Sequence, residues 1–533
     1  MFALLIIIGG LCLLGYFALI APFRHWTNRG VLQVSVAKLW LENLKAIVQL
    51  NPVADGLIKL YEMFPESRYM GTYQATKPLL LIKDVDLIKE ITIKNFDHFM
   101  DHNQFADEES DPLWGKNLIA LKGERWKDMR ATLSPSFTSS KMKGMFNLML
   151  ECAGTFVDYF RNDNSETVTV ELKDTFTRYA TDVIASASFG ITCNSLKERD
   201  NEFYIMGKEA TNFSGFWKNL SILLMISSPR LANYLGLRMF SNKVSHFFRN
   251  LVLDNMKERE MKGIVRPDMI NLLMEAKKGR LKHDDHISGV MDRGFAVIEE
   301  SAIGKEEKRQ KIELTDDDVT AQALIFFFAG FDTVSTLMCF TAYELAVNPP
   351  IQEKLRKEVD LTLEECKGHL TYEALLKMEY LDMVLSETLR KWPSGIALDR
   401  ICVKPYMIQP ERDGEKPFHV QKGDVIMFPL YAVHRDQKFF PEPNRFDPER
   451  FSSENRSNVL PYTFTPFGIG PRSCIGNRFA LLETKCLFFN ILKNFEIVVV
   501  EKSVVPVKLS RKQFNLNSED GFWFGFKPRT KSS

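Results

Sequence analysis

The chain carries no charged residue from 2 to 23, a run of 22 residues that at about 1.5 Å per residue is long enough to cross a hydrocarbon core of about 30 Å. No Lys or Arg precedes the run, whereas Arg24, Arg29 and Lys38 follow it before any acid. This asymmetry predicts an uncleaved transmembrane helix, with the rest of the chain on the cytosolic side, rather than a signal peptide. Residues 1–23 are therefore expected to be an anchor, 24–60 a linker and 61–533 the folded body, with His25 and Trp26 at the membrane interface. The stretch 220–226 (LSILLMI), closed by Ser227-Ser228-Pro229, is greasy enough either to dip into an interface or to end a buried helix. From 137 to 193 apolar residues recur mostly every three or four positions, which predicts packed helices. From 275 to 313 mixed charge replaces that periodicity, the pattern of a solvated, mobile connection. Thr315, followed by three aspartates, marks a helix start. The helix should run to about 347, where Asn348-Pro349-Pro350 stops it, and its centre is apolar all round, so it must cross the core. Strand-like stretches at 79–82, 424–428, 496–500 and 521–526 are few and scattered, so the expected body is mainly α with a minor β component.

Composition narrows the function classes. With 45% apolar and 26% charged residues the chain is an ordinary globular sequence, which rules out disorder, collagen and coiled coil for the whole. The 69 Lys+Arg and 68 Asp+Glu nearly cancel, so the chain lacks the basic footprint that nucleic acid demands. Forty-one Phe imply a large aromatic interior. The eight cysteines are dispersed with no CxxC pair, which fits a reducing compartment better than a disulfide scaffold.

The densest chemistry lies at 467–476, Phe-Gly-Ile-Gly-Pro-Arg-Ser-Cys-Ile-Gly, ahead of an apolar helix expected at 479–495. Glycines let backbone N–H groups close on a ligand. A cysteine at a helix N-terminus, with Arg472 two residues away, has its thiolate favoured by the dipole and the positive charge. Cys474 is thus a ligand or a nucleophile, and nothing local offers the base a nucleophile needs. His98 and His102 are four apart, but the HFMDH sequence lacks the glutamate of a zinc helix and shows no third ligand. No G-x-G-x-x-G opens a helix after a strand, so electrons for any redox chemistry must come from outside the chain.

The pattern Phe467-x-x-Gly470-x-Arg472-x-Cys474-x-Gly476 resembles the haem loop of cytochrome P450 monooxygenases. Further motifs follow that family's order. Ala329-Gly330-Phe331-Asp332-Thr333, in mid-helix, is similar to the oxygen-binding motif, and Glu387-Thr388-Leu389-Arg390 to the E-x-x-R helix. Pro448-Glu449-Arg450-Phe451 resembles the segment whose arginine completes that ion network, and Trp126 with Arg130 resembles the haem-propionate contacts. The resemblance spans roughly 61–529, and 95–102 with 130–143 look most like the insect microsomal family nine.

The resemblance implies the mainly helical P450 fold, with haem b (iron protoporphyrin IX) between the Asp332-Thr333 helix and the Cys474 loop. Cys474 would be the axial ligand, its thiolate favouring O–O cleavage of bound O2. Trp126, Arg130, Arg472 and Arg400 would hold the propionates. A small residue and a glycine, Ala329 and Gly330, would make room over the flat cofactor while Asp332 and Thr333 relay protons. Glu387, Arg390 and Arg450 should form a buried structural network rather than a surface ion pair. Phe105, Phe328, Ala329, Ile396, Ala397 and 220–226 should line a pocket for lipophilic substrates, plant toxins or insecticides being the family's usual class, with an endogenous hormone or lipid as the alternative. Haem-thiolate isomerases often lack the acid–threonine pair, and a haem sensor or carrier would have no use for one. The resemblance also implies NADPH-cytochrome P450 reductase as electron donor, at the endoplasmic reticulum membrane. Lys122, Arg125, Lys127, Lys141 and Lys143, dense around Trp126, are the candidate docking face. One departure is that 30–49 contains no proline where microsomal members usually carry a proline-rich hinge, and reads as amphipathic or irregular instead.

Overall fold

A computed structural model of the protein describes residues 9–529 except 11, 12, 14, 17–19, 105, 107, 214, 280–295, 297–312 and 514. Most of the expected anchor, most of the mixed-charge connection and Phe105 lie outside the described residues. The helices that position the site are, in chain order, α1 (Val36–Ile47), α2 (Gly123–Leu133), α3 (Ser139–Arg161), α4 (Leu172–Ile184), α5 (Glu202–Ala210), α6 (Phe216–Ser227), α7 (Asp316–Val347), α8 (Glu379–Lys391) and α9 (Asn477–Asn494). The strands among the described residues are β1 (Tyr69–Gln74), β2 (Lys77–Ile82), β3 (Val168–Glu171), β4 (Leu398–Ile401), β5 (Tyr406–Ile408), β6 (Phe418–Val420), β7 (Val425–Phe428), β8 (Phe495–Val498) and β9 (Trp523–Pro528). The body is mainly helical with a minor sheet component, as expected.

Helix α7 starts where its sequence says it should. Thr315 Oγ accepts from Asp318 N–H at 3.2 Å while the Asp318 carboxylate accepts from Thr315 N–H at 2.9 Å, a reciprocal cap. The helix is long and apolar enough to span a membrane, yet 67% of its apolar window is buried inside the protein, so it is the core helix. Gly207 lets α5 cross it closely, because a Cβ there would lie 2.3 Å from Phe327 Cζ. The expected helices between 137 and 193 are α3 and α4, interrupted by β3, which pairs with β9.

The principal sheet has the order β1-β2-β7-β4. β1 and β2 are antiparallel, β2 is parallel to β7 with Leu80 opposite Ile426, and β4 closes antiparallel on β7 with Arg400 opposite the same Ile426. In this register Arg400 is buried, while Asp399, on the other face of the strand, keeps part of its side chain exposed. A second apolar cluster covers the sheet and includes Phe23, Trp26, Val31 and Leu39. Trp26 is fully buried and its indole N–H donates to Thr72 O at 3.0 Å. Gly71 beneath it is obligatory, since a Cβ would sit 2.3 Å from Trp26 Cγ. Trp26 thus belongs to the protein core and not to a membrane interface, because the sheet offers its polar edge an acceptor that lipid lacks. The proline-free stretch contains the amphipathic α1, with Leu39 buried and Trp40, Leu41 and Leu44 exposed.

Candidate active site

Local backbone bonds set the cysteine loop. Cys474 N–H donates to Phe467 O at 2.8 Å and Ser473 N–H to Gly470 O at 2.9 Å. Asn477, the first residue of α9, donates from Nδ2 to Cys474 O at 2.8 Å. Burial pushes the Cys474 thiol up, against the pull of Gly476 N–H and the Arg130 charge. The residue nevertheless has exposed surface. A side chain enclosed by protein and still open borders an internal space.

Helix α7 also presents a half-open face close to this loop. In the midst of its buried residues, Phe326, Ala329, Gly330 and Thr333 are half-open and recur at the three- and four-residue spacing of one helix face. Phe137 connects this face to the loop. Its ring lies 5.3 Å from that of Phe326, and it is the neighbour of Gly476, at 3.8 Å from where a Cβ would be. On the opposite edge Ser394 Oγ–H donates to Thr333 O at 2.9 Å, which brings the segment leading into β4 beside the helix.

The polar end is a cluster of cations. Trp126 and Arg130 are both buried on α2, and Arg130 Nη1 donates to Ser473 O at 2.9 Å. Arg472 does not point at Cys474. Its guanidinium lies 3.9 Å from the centre of the Trp126 ring and donates to Met100 O at 2.8 Å and Leu121 O at 2.8 Å. Arg130, not Arg472, is therefore the charge felt at the thiol, because the turn at 470–472 aims the Arg472 side chain back at the 100–121 segment. Arg400 is 1% exposed, donates to Ile469 O at 3.3 Å, and has a buried Nε without a partner. Burial lowers the pKa of Arg400 to about 10. At Arg472 burial and then Arg400, with Arg130 adding to them against Asp101 and Asp399, lower it to about 8. Guanidiniums massed in this way ask for an anion.

The oxygen-motif residues divide between two sides of α7. Thr333 Oγ–H donates to Ala329 O at 2.5 Å, one turn back. The Asp332 carboxylate is turned to Lys173 Nζ of α4 at 2.9 Å and Asn515 Nδ2 at 2.8 Å. Burial would raise Asp332, but Lys173 and Asn515 outweigh it and hold the acid below its ordinary value. Lys173 further donates to Ser335 and Thr336 hydroxyls at 3.0 and 2.8 Å. Gly330 does not make room only for a cofactor: a Cβ there would meet Ile184 Cδ1 of α4 at 2.9 Å, so its bare face lets two helices approach. Gly470 likewise faces Thr92 O, 2.3 Å from the Cβ position, rather than open space.

Other predicted residues are found as follows. Glu387 and Arg390 on α8 are fully buried and joined by two bonds of 2.7 and 2.8 Å, with Arg450 Nε 3.6 Å from the same carboxylate. Phe328 is half-buried, with the rings of Trp114, Phe213 and Phe240 at 6.0, 5.8 and 6.0 Å. Ile396 is buried with its carbonyl bonded to Tyr431 N–H, while Ala397 is half-open. In 220–226, Leu220 is exposed and Met225 and Ile226 are buried, so the C-terminal part of the stretch ends a buried helix. Of the candidate basic face, Arg125 pairs with Glu108 at 2.9 Å, Lys127 with Glu124 at 2.9 Å and Lys143 with Glu373 at 2.5 Å. Sequence reasoning missed Lys173 and Asn515, as well as the pairing of His102 with Asp399 at 3.2 Å.

The profile of the family described as Cytochrome P450 matches residues 51–523. Cytochrome P450 9e2 of Blattella germanica is 46% identical over 486 residues, covering 88% of this chain and 87% of the relative. Probable cytochrome P450 9f2 of Drosophila melanogaster is 44% identical over 479 residues, covering 88% of each. Cytochrome P450 6k1 of Blattella germanica is 34% identical over 517 residues, covering 97% of this chain and 95% of the relative.

Proposed function

The chain belongs to the cytochrome P450 family and is a haem-thiolate monooxygenase, and from that premise we propose that its substrates are lipophilic foreign compounds and its electrons come from NADPH through a separate membrane-bound reductase. The observation that carries the substrate reading is the aromatic group around Phe328, a half-buried residue of α7 about which three rings stand. Such a wall binds bulky apolar molecules by area and ring contact and offers them few hydrogen bonds.

The residues present fit a haem. A thiol whose anion is disfavoured by burial calls for a cation beside it. The unpartnered Arg400 Nε and the crowded guanidiniums call for carboxylates. Cys474 Sγ would ligate the iron, and Trp126, Arg130, Arg400 and Arg472 would hold the propionates. Bound there, haem supplies the activation of O2 from which one atom enters the substrate and the other leaves as water. The protein's part is to orient and to move protons. Thr333 holds a hydroxyl proton at Oγ on the open face of α7, and Asp332 takes up and resupplies protons at its carboxylate, which Lys173 keeps ionised. Phe326, Phe137 and Phe328 keep bulk water from the reacting centre.

For localisation we propose the endoplasmic reticulum membrane, anchored through the expected 1–23 segment short of Phe23, which packs in the sheet cluster, with the body in the cytosol. An exposed apolar surface supports it: Trp40, Leu41 and Leu44 of α1 and Trp217 and Leu220 of α6, on two helices that touch each other. The reductase would dock at the α2 face, where pairing of the basic residues limits the steering field. The test is substrate loss from a panel of lipophilic compounds with purified reductase and NADPH. Loss that needs both components is expected, and equal loss without them would overturn the reading.

A further inference from the structure

His102 has no part in the machinery described above, yet it stands within it. Its Nδ1 lies 3.2 Å from Asp399 Oδ1, and the second oxygen of Asp399 accepts from Asn103 N–H. Asp399 is the chain neighbour of Arg400, and Asp101, the residue before His102, lies 3.5 Å from Arg472. An acid–histidine pair is therefore built into the guanidinium cluster. Neither member is sealed off, with side-chain exposures of 19% for His102 and 36% for Asp399, although burial is the leading influence on both. Like Cys474, they border internal space.

This placement poses an electrostatic problem. A carboxylate brought to Arg400 and Arg472 also meets the Asp399 carboxylate, and two like charges at close range repel unless a cation lies between them. His102 is bonded to Asp399 through one ring nitrogen and has the other left for a second partner. Only the imidazolium carries a hydrogen on both nitrogens and donates to two anions at once. We propose that His102 is a proton-linked ligand for a haem propionate, taking up a proton as the cofactor binds and bridging the propionate to Asp399. The inference rests on the haem reading given above and assigns a residue and a proton that the reading does not.

The surroundings agree with a group poised to change state. Without the cofactor, burial pushes His102 below its ordinary value, Asp399 opposes this, and Arg400 and Arg472 add to it. Asp399 is held below its ordinary value against burial by His102, by Asn103 N–H and by Arg400. Asp101 faces the cluster from the same segment, and Lys77 of β2, bonded to Asn103 Oδ1 at 2.6 Å, approaches Asp399 with Lys122 nearby. A propionate added to this set favours the charged imidazole, so His102 titrates higher with haem than without it. Haem affinity is then greatest below the haem-free value and falls as pH rises through the haem-bound value, by up to about tenfold per pH unit for one linked proton.

The experiment measures the rate of haem transfer from the full-length holoprotein to excess apomyoglobin, followed by Soret absorbance, from about pH 6 to about pH 9. The parent is compared with His102→Gln, which bonds without a charge, and His102→Arg, which is charged throughout. Haem loss from the parent should quicken with rising pH. The Gln variant should lose haem at the fast rate at every pH, and the Arg variant at the slow rate at every pH. A parent without pH dependence, or a parent-like slope persisting in either variant, would overturn the proposal. If the parent retains no haem under any condition, the haem reading itself fails, which is a different result from a haem-loaded parent with indifferent variants.

Discussion

The three glycines of the cysteine loop share a motif but not a physical reason for being glycine, and alanine at each should separate them. Gly470 has φ +69° and its Cβ position is 2.3 Å from Thr92 O, a backbone atom that cannot swing aside. An alanine there meets a left-handed conformation costing about 1–2 kcal/mol and an overpacked contact costing about 1–3 kcal/mol, so roughly 2–5 kcal/mol in all. Gly468 has φ +82° but its nearest neighbour is Ser473 Cα at 3.6 Å, which leaves the conformational term alone, about 1–2 kcal/mol. Gly476 has φ −92° and only Phe137 Cε1 at 3.8 Å, so Gly476→Ala should be neutral for the protein fold. With an unfolding entropy of about 2.1 cal/mol/K per residue, the matched span 51–523 gives about 1 kcal/mol per kelvin, so the expected falls in Tm are about 2–5 °C, about 1–2 °C and none. The assay is thermal melting by far-ultraviolet circular dichroism, with Soret absorbance alongside. A Gly470→Ala protein as stable as the parent, or equal damage from all three, would refute the reasoning. Loss of the Soret band alone in Gly476→Ala would assign that glycine to contact with the cofactor.

Three further perturbations test the frame around the site. Lys173→Met removes the charge that holds Asp332 below its ordinary value, so the acid-side limb of the activity–pH profile should move to higher pH, with Lys173→Arg restoring the parent profile; an unmoved limb in the Met variant would contradict it. Gly330→Ala presses on Ile184 Cδ1 at 2.9 Å and should cost about 1–3 kcal/mol, and Ile184→Val, which deletes that methyl, should recover most of the loss in the double variant by chemical denaturation. Glu387→Gln leaves the buried Arg390 without the carboxylate that faces it, its other partners being the carbonyls of His434, Pro443 and Arg445, and should destabilise the protein by about 3–5 kcal/mol, whereas a change within 1 kcal/mol would show that the pair is dispensable.

Legibility in the sequence followed the range of the interactions. The cap at Thr315, the full extent of α7 and the helix after Cys474 depend on residues a few positions apart, and their signals are written in those residues. The cysteine loop was legible because its bonds, such as Cys474 N–H to Phe467 O, are local and its motif is contiguous. What escaped depends on segments that meet only in the fold. Lys173 and Asn515 reach Asp332 from 159 and 183 positions away. His102 reaches Asp399 from 297 positions away. Proximity in sequence also misled: Arg472, two residues from Cys474, turns onto Trp126, while Arg130, 343 positions before Ser473, reaches the loop. Gly330 and Gly470 were legible as glycines but not for their neighbours, since a missing side chain says nothing of what approaches it. Trp26 read as an interfacial residue because an indole beside an apolar run is ambiguous until the sheet supplies Thr72 O as its partner.

The central claim is that Cys474 binds a haem through its sulfur. The most direct measurement is the absorption spectrum of the reduced, carbon-monoxide-bound protein, with a Cys474→Ser variant prepared in parallel. A red-shifted Soret band of the thiolate type in the parent, absent from the variant, is the predicted result. A parent that binds no haem, or one whose band is of the imidazole type and unchanged by the substitution, would contradict the account.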